Sequence, residues 1–379
     1  MPFTTRAAVH VKHGQPLDVT EISLPNPGPN EVVVELFASG ICHSQLHQIH
    51  NPDTPTPALM GHEATGQVIA LGTEVTHVRE GQRVMLTWVP RDVTTETGRD
   101  RNFSRTSWSL GGEEQAGPNI YTWAEHVLAH QQMVLPLDED VDTDVTAIVG
   151  CATVTGVGAV LGSAKVPAGS TVAIYGVGGV GINAIAGAKL ADASRIFAVD
   201  LSDEKLEFAK EFGATDTINA SEVDPVEAIV ELTGGGTDFA FDAIGYEITM
   251  RQILNTVRAG VLGAGDRGGT AVLIGVPQTD ATIDARALLM GERNYIGSLG
   301  GSSHPMTDFK QYIEWYKQGA LPLEKMISVK YDGLDSINEG IEALESGNIS
   351  GRSIMIYLSL IHISEPTRPE RIGDGGLWV

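Results

Sequence analysis

Short runs in which apolar and polar residues alternate fill the first part of the chain, up to Val89. They include AAVHV, LDVTEI and EVVVELFAS, separated by HGQP and PNPGPNE, and they continue through GQVIALGTEV and GQRVMLTWV. Alternation with a period of two is typical of strands with one buried face, and Gly, Pro and Asn mark the turns between them. The pattern predicts a domain of short antiparallel strands, arranged like a barrel.

The pattern changes between Pro90 and Asn119. This segment is polar, has little periodicity and contains several glycines, so we predict a loop that is functional, forms an interface or is poorly ordered. Strand-like alternation returns from Tyr121 to Leu137. The acidic stretch DEDVDTD then precedes a run of apolar and small residues, which predicts the start of a helix in the region of Cys151.

The stretch TVAIYGVGGVG, from Thr171 to Gly181, predicts a nucleotide site. An apolar strand runs into a glycine-rich turn, a helix with small residues follows in INAIAGAKLADA, and the next strand, RIFAVD, ends at Asp200. This is the full context of a dinucleotide-binding turn. Gly176 allows the tight turn, Gly178 lets a pyrophosphate approach the backbone, and Gly181 lets helix and strand pack closely.

The predicted dinucleotide is NAD. The N-terminus of the helix offers free N–H groups to the phosphates. The carboxylate of Asp200 can accept hydrogen bonds from the adenosine ribose and would repel the 2'-phosphate of NADP, which is therefore the less favoured cofactor. The predicted cofactor contacts of the turn are Gly176, Gly178, Gly179, Val180 and Gly181.

Strand and helix patterns continue to alternate as far as NYIGSL. Repeated βα units predict a parallel, doubly wound sheet with right-handed crossovers, and we assign this cofactor domain to residues 153–297. Two amphipathic helices, MTDFKQYIEWYKQG and LDSINEGIEALESG, and a strand, RSIMIY, follow. The remainder, residues 358–379, breaks the pattern and resembles a translated sequencing adapter, so we expect a non-native tail without function.

The composition is that of a globular protein large enough for two domains. Hydrophobic residues make up 42% and charged residues 19% of the 379 residues. No apolar run reaches the length of a membrane span, and the N-terminus lacks the layout of a signal peptide. We therefore expect no membrane association and a cytoplasmic location.

The chain is acidic, with 48 acidic and 25 basic residues and a formal net charge of -23. Nucleic acids and anionic membranes repel such a surface, so we expect neither as a partner. The surplus is compatible with an ordinary acidic surface. The alternative is a halophilic protein, because high salt screens the self-repulsion.

The candidate chemistry lies in GICHSQLH, from Gly40 to His47, which follows a predicted strand as active-site loops often do. This stretch holds Cys42, one of only two cysteines, together with imidazole and hydroxyl groups, and GHE follows at 61–63. Thiolate and imidazole are ligands that zinc accepts. In a cytoplasmic protein, two cysteines so far apart are expected to be metal ligands or free thiols rather than a disulfide.

Together with GCATVTG and GVGGVG, these motifs resemble those of the medium-chain, zinc-dependent alcohol dehydrogenases over about residues 5–357. The segments GCATVTGVGAV, GVGGVGINAIAGAKLA and GSLGGSS are most similar to class III-like and nicotinoprotein alcohol dehydrogenases of bacteria. The resemblance implies an α/β protein with two domains. They are a GroES-like β-barrel catalytic domain, residues 1–152 and 298–357, and a Rossmann cofactor domain with a doubly wound parallel sheet, residues 153–297.

The resemblance also implies roles for individual residues. Cys42, His62 and Cys151 would bind a catalytic zinc ion, with the fourth position open to water or substrate. The ion lowers the pKa of the alcohol, and hydride passes to the nicotinamide. Ser44 would take the proton of the substrate oxygen, and His47 would pass it on by way of the nicotinamide ribose.

Three more residues take their expected roles from the resemblance. Glu63 would lie beside the metal ligands and tune the zinc ion or transiently bind it. His43 and Arg352 would face the cofactor pyrophosphate, although the spacing before Arg352 differs by one residue from the family pattern. Other readings stay open: Ser44 and His47 as loop-capping residues, Glu63 as a helix cap or surface acid, and His43 as a solvated histidine.

The chain departs from the family in its expected zinc content. Relatives with a structural zinc ion carry four closely spaced cysteines, whereas residues 90–119 contain neither cysteine nor histidine. We therefore expect one catalytic zinc ion per chain and no structural zinc. An insertion, VLGAGDRG, also lengthens a family loop before TAVLIGV.

The sequence thus predicts reversible hydride transfer between a small primary or secondary alcohol and NAD(H), in a homo-oligomer, dimer or tetramer, by analogy with the family. Three alternatives stay open. The first is a nicotinoprotein whose NAD never leaves, and the second is a metal-free quinone or enoyl reductase. The third is a Rossmann protein that senses the NAD redox state without turnover, which would bind nucleotide but would show no hydride transfer and hold no zinc.

Overall fold

The computed structural model describes residues 3–93 and 106–357. The predicted non-native tail, residues 358–379, lies outside this part of the chain. In order, the elements of the first half are β1 (Phe3–His10), β2 (Asp18–Leu24), β3 (Glu31–Ile41), α1 (His43–His50), β4 (Ala58–Leu59), β5 (Glu63–Leu71), β6 (Arg83–Thr87), β7 (Ser107–Leu110), β8 (Glu113–Ala116), β9 (His126–His130), β10 (Val134–Pro136), α2 (Thr143–Thr146) and α3 (Ala152–Gly158).

Two sheets pack against each other in this half. One has the strand order β4-β1-β2-β7-β8, and the other contains β10-β6-β5-β3, with β9 also paired to β3. Apolar residues of β1, β3, β5 and β9 fill the core between the sheets. Those of β1, Ala7 and Val9, alternate as the period of two predicts, whereas β3 and β9 also contribute consecutive residues. The predicted antiparallel, barrel-like domain is confirmed.

Residues 90–119, predicted to be a loop, are irregular only in part. Within them β7 and β8 pair as an antiparallel hairpin, and the turn contains Gly111 and Gly112 with φ angles of +60° and +89°. Trp108 on β7 is buried in the core. The prediction was wrong for this hairpin because each strand has only four residues, too few for a clear alternation. Residues 94–105 lie outside the described part.

The second half forms a parallel sheet with helices between its strands. Its elements are β11 (Thr171–Tyr175), α4 (Gly179–Leu190), β12 (Arg195–Asp200), α5 (Asp203–Lys210), β13 (Asp216–Asn219), α6 (Pro225–Thr233), β14 (Phe239–Asp242), α7 (Glu247–Thr256), β15 (Thr270–Leu273), α8 (Ala285–Met290) and β16 (Asn294–Gly297). The strand order β13-β12-β11-β14-β15-β16 reverses direction at β11. This is the doubly wound arrangement predicted from the sequence, and ligands bind at such a reversal.

The helix predicted from the apolar run around Cys151 is interrupted. A 3-10 turn, Ala147–Gly150, separates α2 from α3, and α3 continues into a π-helical turn, Ala159–Ser163. Cys151 lies at the break with φ -140° and ψ -66°, outside helical geometry. The interruption turns the Cys151 side chain toward the first half of the protein.

The chain returns to the first half after β16. The last elements are α9 (Pro305–Lys317), α10 (Leu323–Met326), β17 (Ile327–Asp332), α11 (Ile337–Glu345) and β18 (Arg352–Ile356). Both predicted amphipathic helices and the predicted last strand are therefore present. Strand β18 pairs antiparallel with β3 and parallel with β17, so the last two strands join the sheet of the first half. The exact domain boundaries stay a prediction.

No single helix within residues 3–93 and 106–357 is both long and apolar enough to cross a membrane. One pair of helical segments, Thr143–Gly150 and Ala152–Ser163, passes such a test by length and composition alone, with a bend of 57° between them. Most of its apolar side chains are part of the protein core.

Candidate active site

Three predicted ligands from separate elements converge on one point. Cys42 lies between β3 and α1, His62 immediately precedes β5, and Cys151 lies at the break before α3. One ligand atom of each residue lies within 4.8 Å of the other two, and the Sγ atoms of Cys42 and Cys151 are 4.0 Å apart. Both cysteines are buried and free.

The cluster has the dimensions of a tetrahedral zinc site. With Zn–S bonds of about 2.3 Å, two thiolates on a tetrahedral ion lie roughly 3.8 Å apart, close to the 4.0 Å between the two sulfur atoms. Two thiols and an imidazole leave the fourth position for water or substrate. Among the described residues, no other group of three His, Cys, Asp or Glu side chains comes together in this way.

The two thiols differ in acidity. The hydrogen bond between them lowers the pKa of Cys42 and raises the pKa of Cys151. Burial disfavours both thiolates, but the charge of Arg352 and the contact with His62 favour the thiolate of Cys42. Ser44 Oγ donates a further hydrogen bond of 3.3 Å to Cys42 Sγ. Cys42 is thus the readier anion of the two.

Helix α1 begins directly after Cys42 and carries the predicted proton-transfer residues. Ser44 and His47 are half-buried and lie three positions apart, which places them on the same side of the helix. His43 is exposed, and its ring lies 6.0 Å from the ring of His47. Burial lowers the pKa of both histidines, so His47 is neutral near pH 7. Their roles stay predictions.

Glu63 and Arg352 form a buried ion pair beside the cysteines. Arg352 Nε donates to Glu63 Oε1 at 2.8 Å, its Nη2 also contacts that oxygen, and the N–H of Ala152 donates to Glu63 Oε2 at 3.2 Å. Burial raises the pKa of Glu63, and Arg352 opposes this shift. Burial acts to lower the pKa of Arg352, but the negative charges of Cys42 and Glu63 together raise it.

Two glycines are required by the close packing around Glu63. A Cβ atom on Gly40 would be 2.0 Å from Glu63 Oε1, and one on Gly150 would be 2.1 Å from the carbonyl oxygen of Leu86. A side chain at Gly40 would therefore displace the carboxylate, and one at Gly150 would push the Cys151 turn away from β6. The glycine that opens GICHSQLH is required by this packing.

The glycine-rich turn has the geometry expected of a phosphate cradle. Gly176 has a φ angle of +83°, and a Cβ atom on Gly181 would lie 1.8 Å from the Gly176 carbonyl oxygen, whereas one on Gly178 would meet no atom within 4 Å. The open side of Gly178 and the N-terminus of α4 can receive a pyrophosphate. The turn lies at β11, where the strand order reverses.

Asp200 is held beside this turn at the end of β12. Its Oδ2 accepts a hydrogen bond of 3.0 Å from the N–H of Val177, and its Oδ1 accepts one of 2.8 Å from the N–H of Leu201. The carboxylate therefore helps to shape the turn. It is also in the position where an adenosine ribose is expected in such folds.

Arg352 reaches from the metal ligands to the turn. A Cβ atom on Gly179 would lie 3.0 Å from Arg352 Cδ and 3.3 Å from its Nη1. The guanidinium thus lies between Glu63 and the start of α4, next to both predicted sites. Its expected contact with the cofactor pyrophosphate stays a prediction, as do the roles of Glu63 and His43.

Comparison with known proteins agrees with this arrangement. The family model of the alcohol dehydrogenase GroES-like domain matches residues 28–139, and that of the zinc-binding dehydrogenase matches residues 179–318. The class-3 alcohol dehydrogenase of Cereibacter sphaeroides is 32% identical over 383 residues, covering 93% of this chain and 100% of that protein. The chain belongs to the zinc-dependent medium-chain alcohol dehydrogenase family.

Two further alcohol dehydrogenase relatives extend the comparison. An S-(hydroxymethyl)glutathione dehydrogenase of Paracoccus denitrificans is 32% identical over 382 residues, 93% of this chain and 100% of that protein. The crystal structure of benzyl alcohol dehydrogenase from Acinetobacter calcoaceticus matches with a TM-score of 0.84 and 28% identity, over 94% of this chain and 100% of that one. The predicted family, fold and class of enzyme are confirmed.

One residue of this alcohol dehydrogenase site was not predicted from the sequence. The amide Nε2 of Gln45 contacts Nδ1 of His62, and the Gln45 side chain is buried. Gln45 lies three residues, or about one helical turn, after Cys42, so the two side chains lie on the same side of the start of α1. The sequence HSQLHQIH does not distinguish Gln45 from Gln48, which is exposed. The two residues differ only in their position relative to His62, which the fold determines.

Proposed function

We propose that this protein is an NAD-dependent alcohol dehydrogenase with one catalytic zinc ion, which interconverts primary or secondary alcohols with aldehydes or ketones. The observation that carries the proposal is the convergence of the ligand atoms of Cys42, His62 and Cys151 within 4.8 Å. The glycine turn supports it, because the Arg352 side chain pairs with Glu63, next to the cysteines, and also lies beside Gly179 of the turn. An alcohol held at the open metal position would then lie near a nicotinamide.

When bound, the zinc ion lowers the pKa of the alcohol, and NAD accepts the hydride. Cys42, His62 and Cys151 would hold the ion. The turn from Gly176 to Gly181 would hold the pyrophosphate, with Asp200 at the ribose. The two thiolates would balance the charge of a Zn²⁺ ion, and Arg352 balances Glu63, so the loaded site would carry no net charge.

Two residues of helix α1, Ser44 and His47, would carry the proton, with the nicotinamide ribose of the bound cofactor between them. The hydroxyl of Ser44, 3.3 Å from Cys42 Sγ, can accept a proton from the substrate oxygen while it releases its own. His47 lies one turn further along the helix, is neutral near pH 7 because burial lowers its pKa, and is half-exposed. It can therefore receive the proton and pass it to solvent.

We propose that Trp88 and Val89, which directly follow β6, contribute an apolar wall to the substrate site. Thr87 pairs with Glu63 in the sheet, and the following residue, Trp88, therefore lies toward His62. A Cβ atom on Gly300 would lie 3.3 Å from the Trp88 ring and 2.8 Å from Val89. These residues favour an apolar or aromatic alcohol. The relative that acts on benzyl alcohol, by its name, supports this choice.

The test is NADH formation on a panel of alcohols that includes benzyl alcohol, ethanol, a secondary alcohol and S-(hydroxymethyl)glutathione, the compound in the name of the Paracoccus relative. We expect the wild type to be active. The Cys42→Ala variant should lose both its zinc ion and its activity. Unchanged activity of Cys42→Ala would refute the proposal and favour a metal-free reductase. NAD binding without zinc and without turnover on any alcohol would favour the NAD sensor.

The second candidate is a nicotinoprotein, an alcohol dehydrogenase whose NAD stays permanently bound, as the motifs GCATVTGVGAV and GSLGGSS suggest. Desalting the protein distinguishes the two candidates. An exchangeable cofactor leaves with the small molecules, and activity then depends on added NAD. One NAD retained per chain, with no stimulation by added NAD, would identify the nicotinoprotein.

The finer properties expected from the sequence belong to the same proposal. We propose NAD rather than NADP, no structural zinc, a homo-oligomer of two or four chains and a cytoplasmic location. The acidic surface, with a net charge of -23, further suggests tolerance of high salt. Activity and melting temperature measured from low to molar KCl test that point, and a steady loss of both with salt would contradict it.

A further inference from the structure

The side chain of Gln45 touches the imidazole of His62 on the side away from the cysteines. Gln45 is 3% exposed, and its Nε2 contacts Nδ1 of His62. Its other amide atom, Oε1, is buried and has no hydrogen-bond partner among the described residues. A buried amide with one atom on a metal ligand and the other without a partner calls for an explanation.

The chemistry of a neutral histidine supplies that explanation. A metal bound through Nε2 uses the lone pair of that nitrogen, so Nδ1 carries the proton and must donate it. Rotation of the Gln45 amide by 180° exchanges Nε2 and Oε1, and Oε1 then accepts the hydrogen bond from Nδ1–H. The NH2 group takes the place where Oε1 lacks a partner among the described residues, so it is the contact with His62 that favours this orientation.

We propose that Gln45 is the positioning residue of the metal site. It holds His62 in the tautomer and orientation in which Nε2 faces the thiols of Cys42 and Cys151. This inference rests on the proposed zinc site and adds a residue to it. With Oε1 turned toward Nδ1, the amide accepts only from the Nδ1–H tautomer, the one that leaves Nε2 free for a metal ion.

The neutrality of Gln45 matters for the charge of the site. Glu63 is already a buried carboxylate, and Arg352 is its only close cationic partner among the described residues. A second buried carboxylate next to His62 would require a charge of its own to offset it. An amide orients the imidazole without adding a charge, and it makes His62 a less basic ligand than a carboxylate would.

The experiment measures zinc affinity rather than activity. The variants are Gln45→Met, which keeps length but cannot form hydrogen bonds, and Gln45→Glu, which keeps an acceptor. Gln48→Met is the matched control, because Gln48 lies on the same helix and is exposed. Each protein is stripped of metal, checked for folding by its melting temperature, and titrated with zinc against a chromogenic chelator. Co²⁺ replaces zinc in a second titration that records the thiolate-to-metal absorption band.

Loss of such a partner typically weakens metal binding by about 10- to 100-fold, and we expect a loss of that size for Gln45→Met together with an altered Co²⁺ spectrum. Gln45→Glu should bind zinc at least as tightly as the wild type, and Gln48→Met should not differ from it. Wild-type affinity of Gln45→Met would overturn the proposal. Equal losses in Gln45→Met and Gln45→Glu would also overturn it, because the side chain would then act through packing.

The result also separates this inference from the proposed function. If the wild type binds no zinc, the proposed zinc site itself fails. If the wild type binds zinc and Gln45→Met binds it equally well, only the role of Gln45 fails. Should the metal-free Gln45→Met protein not fold, Gln45→Glu decides alone: affinity at or above that of the wild type supports the proposal, and a tenfold or greater loss refutes it.

Discussion

The guanidinium of Arg352 donates a 2.8 Å hydrogen bond to the carboxylate of Glu63, across 289 positions of sequence. The two side chains are 6% and 0% exposed. Arg352 begins β18 and Glu63 begins β5, so the pair fixes the end of the chain to the strand that follows His62. It also lies beside Cys42 and Gly179, and it therefore joins the metal ligands to the cofactor turn.

Removal of Arg352 should destabilise the protein strongly, because Glu63 would be left as a buried, unpaired acid. We expect Arg352→Met to lower the free energy of unfolding by about 3–5 kcal/mol, measured by urea denaturation. The control is Lys330→Met, which breaks a partly exposed pair with Asp144 and should cost at most about 1 kcal/mol. Similar losses in both variants would show that the buried pair has no special role.

Much of the fold could be predicted because its signals are local. The glycine turn, the strand before it and the acid at Asp200 lie within one short segment, and each obeys a steric rule that the sequence displays directly. The hairpin of β7 and β8 was missed because its strands are too short to show a period. The break at Cys151 was missed because small apolar residues on both sides fit a continuous helix.

The metal site could be predicted only through the family resemblance. Composition and spacing left metal ligands and free thiols as open alternatives, and the fold decides which side chains meet. The contact between Gln45 and His62 and the pair of Glu63 with Arg352 depend on the crossing of distant strands. No local pattern in the sequence encodes such contacts.

Ser44 should matter for turnover and not for zinc binding. Ser44→Ala removes the hydroxyl next to Cys42 Sγ, and we expect kcat to fall by about 10²–10⁴-fold, the usual contribution of a proton-transfer group. Zinc content should not change. Ser44→Thr keeps a hydroxyl and should restore most of the rate. If Ser44→Ala keeps a kcat close to that of the wild type, the proton leaves by another route.

Asp200 should determine the choice between NAD and NADP. Its negative charge repels a 2'-phosphate, so Asp200→Asn should improve NADPH binding relative to NADH by roughly tenfold or more, or about 1.4 kcal/mol. Fluorescence titration gives both dissociation constants. Asp200 also accepts hydrogen bonds from the backbone of the turn and of Leu201, so its loss can weaken the binding of both cofactors. The ratio of the two dissociation constants therefore isolates the effect on the choice of cofactor. An unchanged ratio would remove Asp200 from the specificity of the site.

His10 should make the stability of the protein sensitive to acid. It is fully buried on β1, and burial, with His13 and His50 nearby, lowers its pKa below the ordinary 6.5. Below pH 6.5 the unfolded chain therefore binds a proton that the folded protein does not, and stability falls as the pH falls. The effect is at most about 1.4 kcal/mol per pH unit for one histidine.

Urea denaturation at pH 7.5 and pH 5.5 tests this expectation. His10→Gln should lose less stability between the two pH values than the wild type does. His304→Gln, which changes an exposed histidine, should lose as much as the wild type. If His10→Gln and the wild type respond equally to pH, the acid sensitivity arises elsewhere.

Stepwise removal and return of zinc tests the central claim most directly, namely that Cys42, His62 and Cys151 hold the ion on which hydride transfer depends. A chelator should abolish NADH formation from the best alcohol of the panel. Added zinc should restore it in proportion, up to about one ion per chain, in the wild type but not in Cys151→Ala. Full activity in protein with much less than one zinc ion per chain would contradict the account.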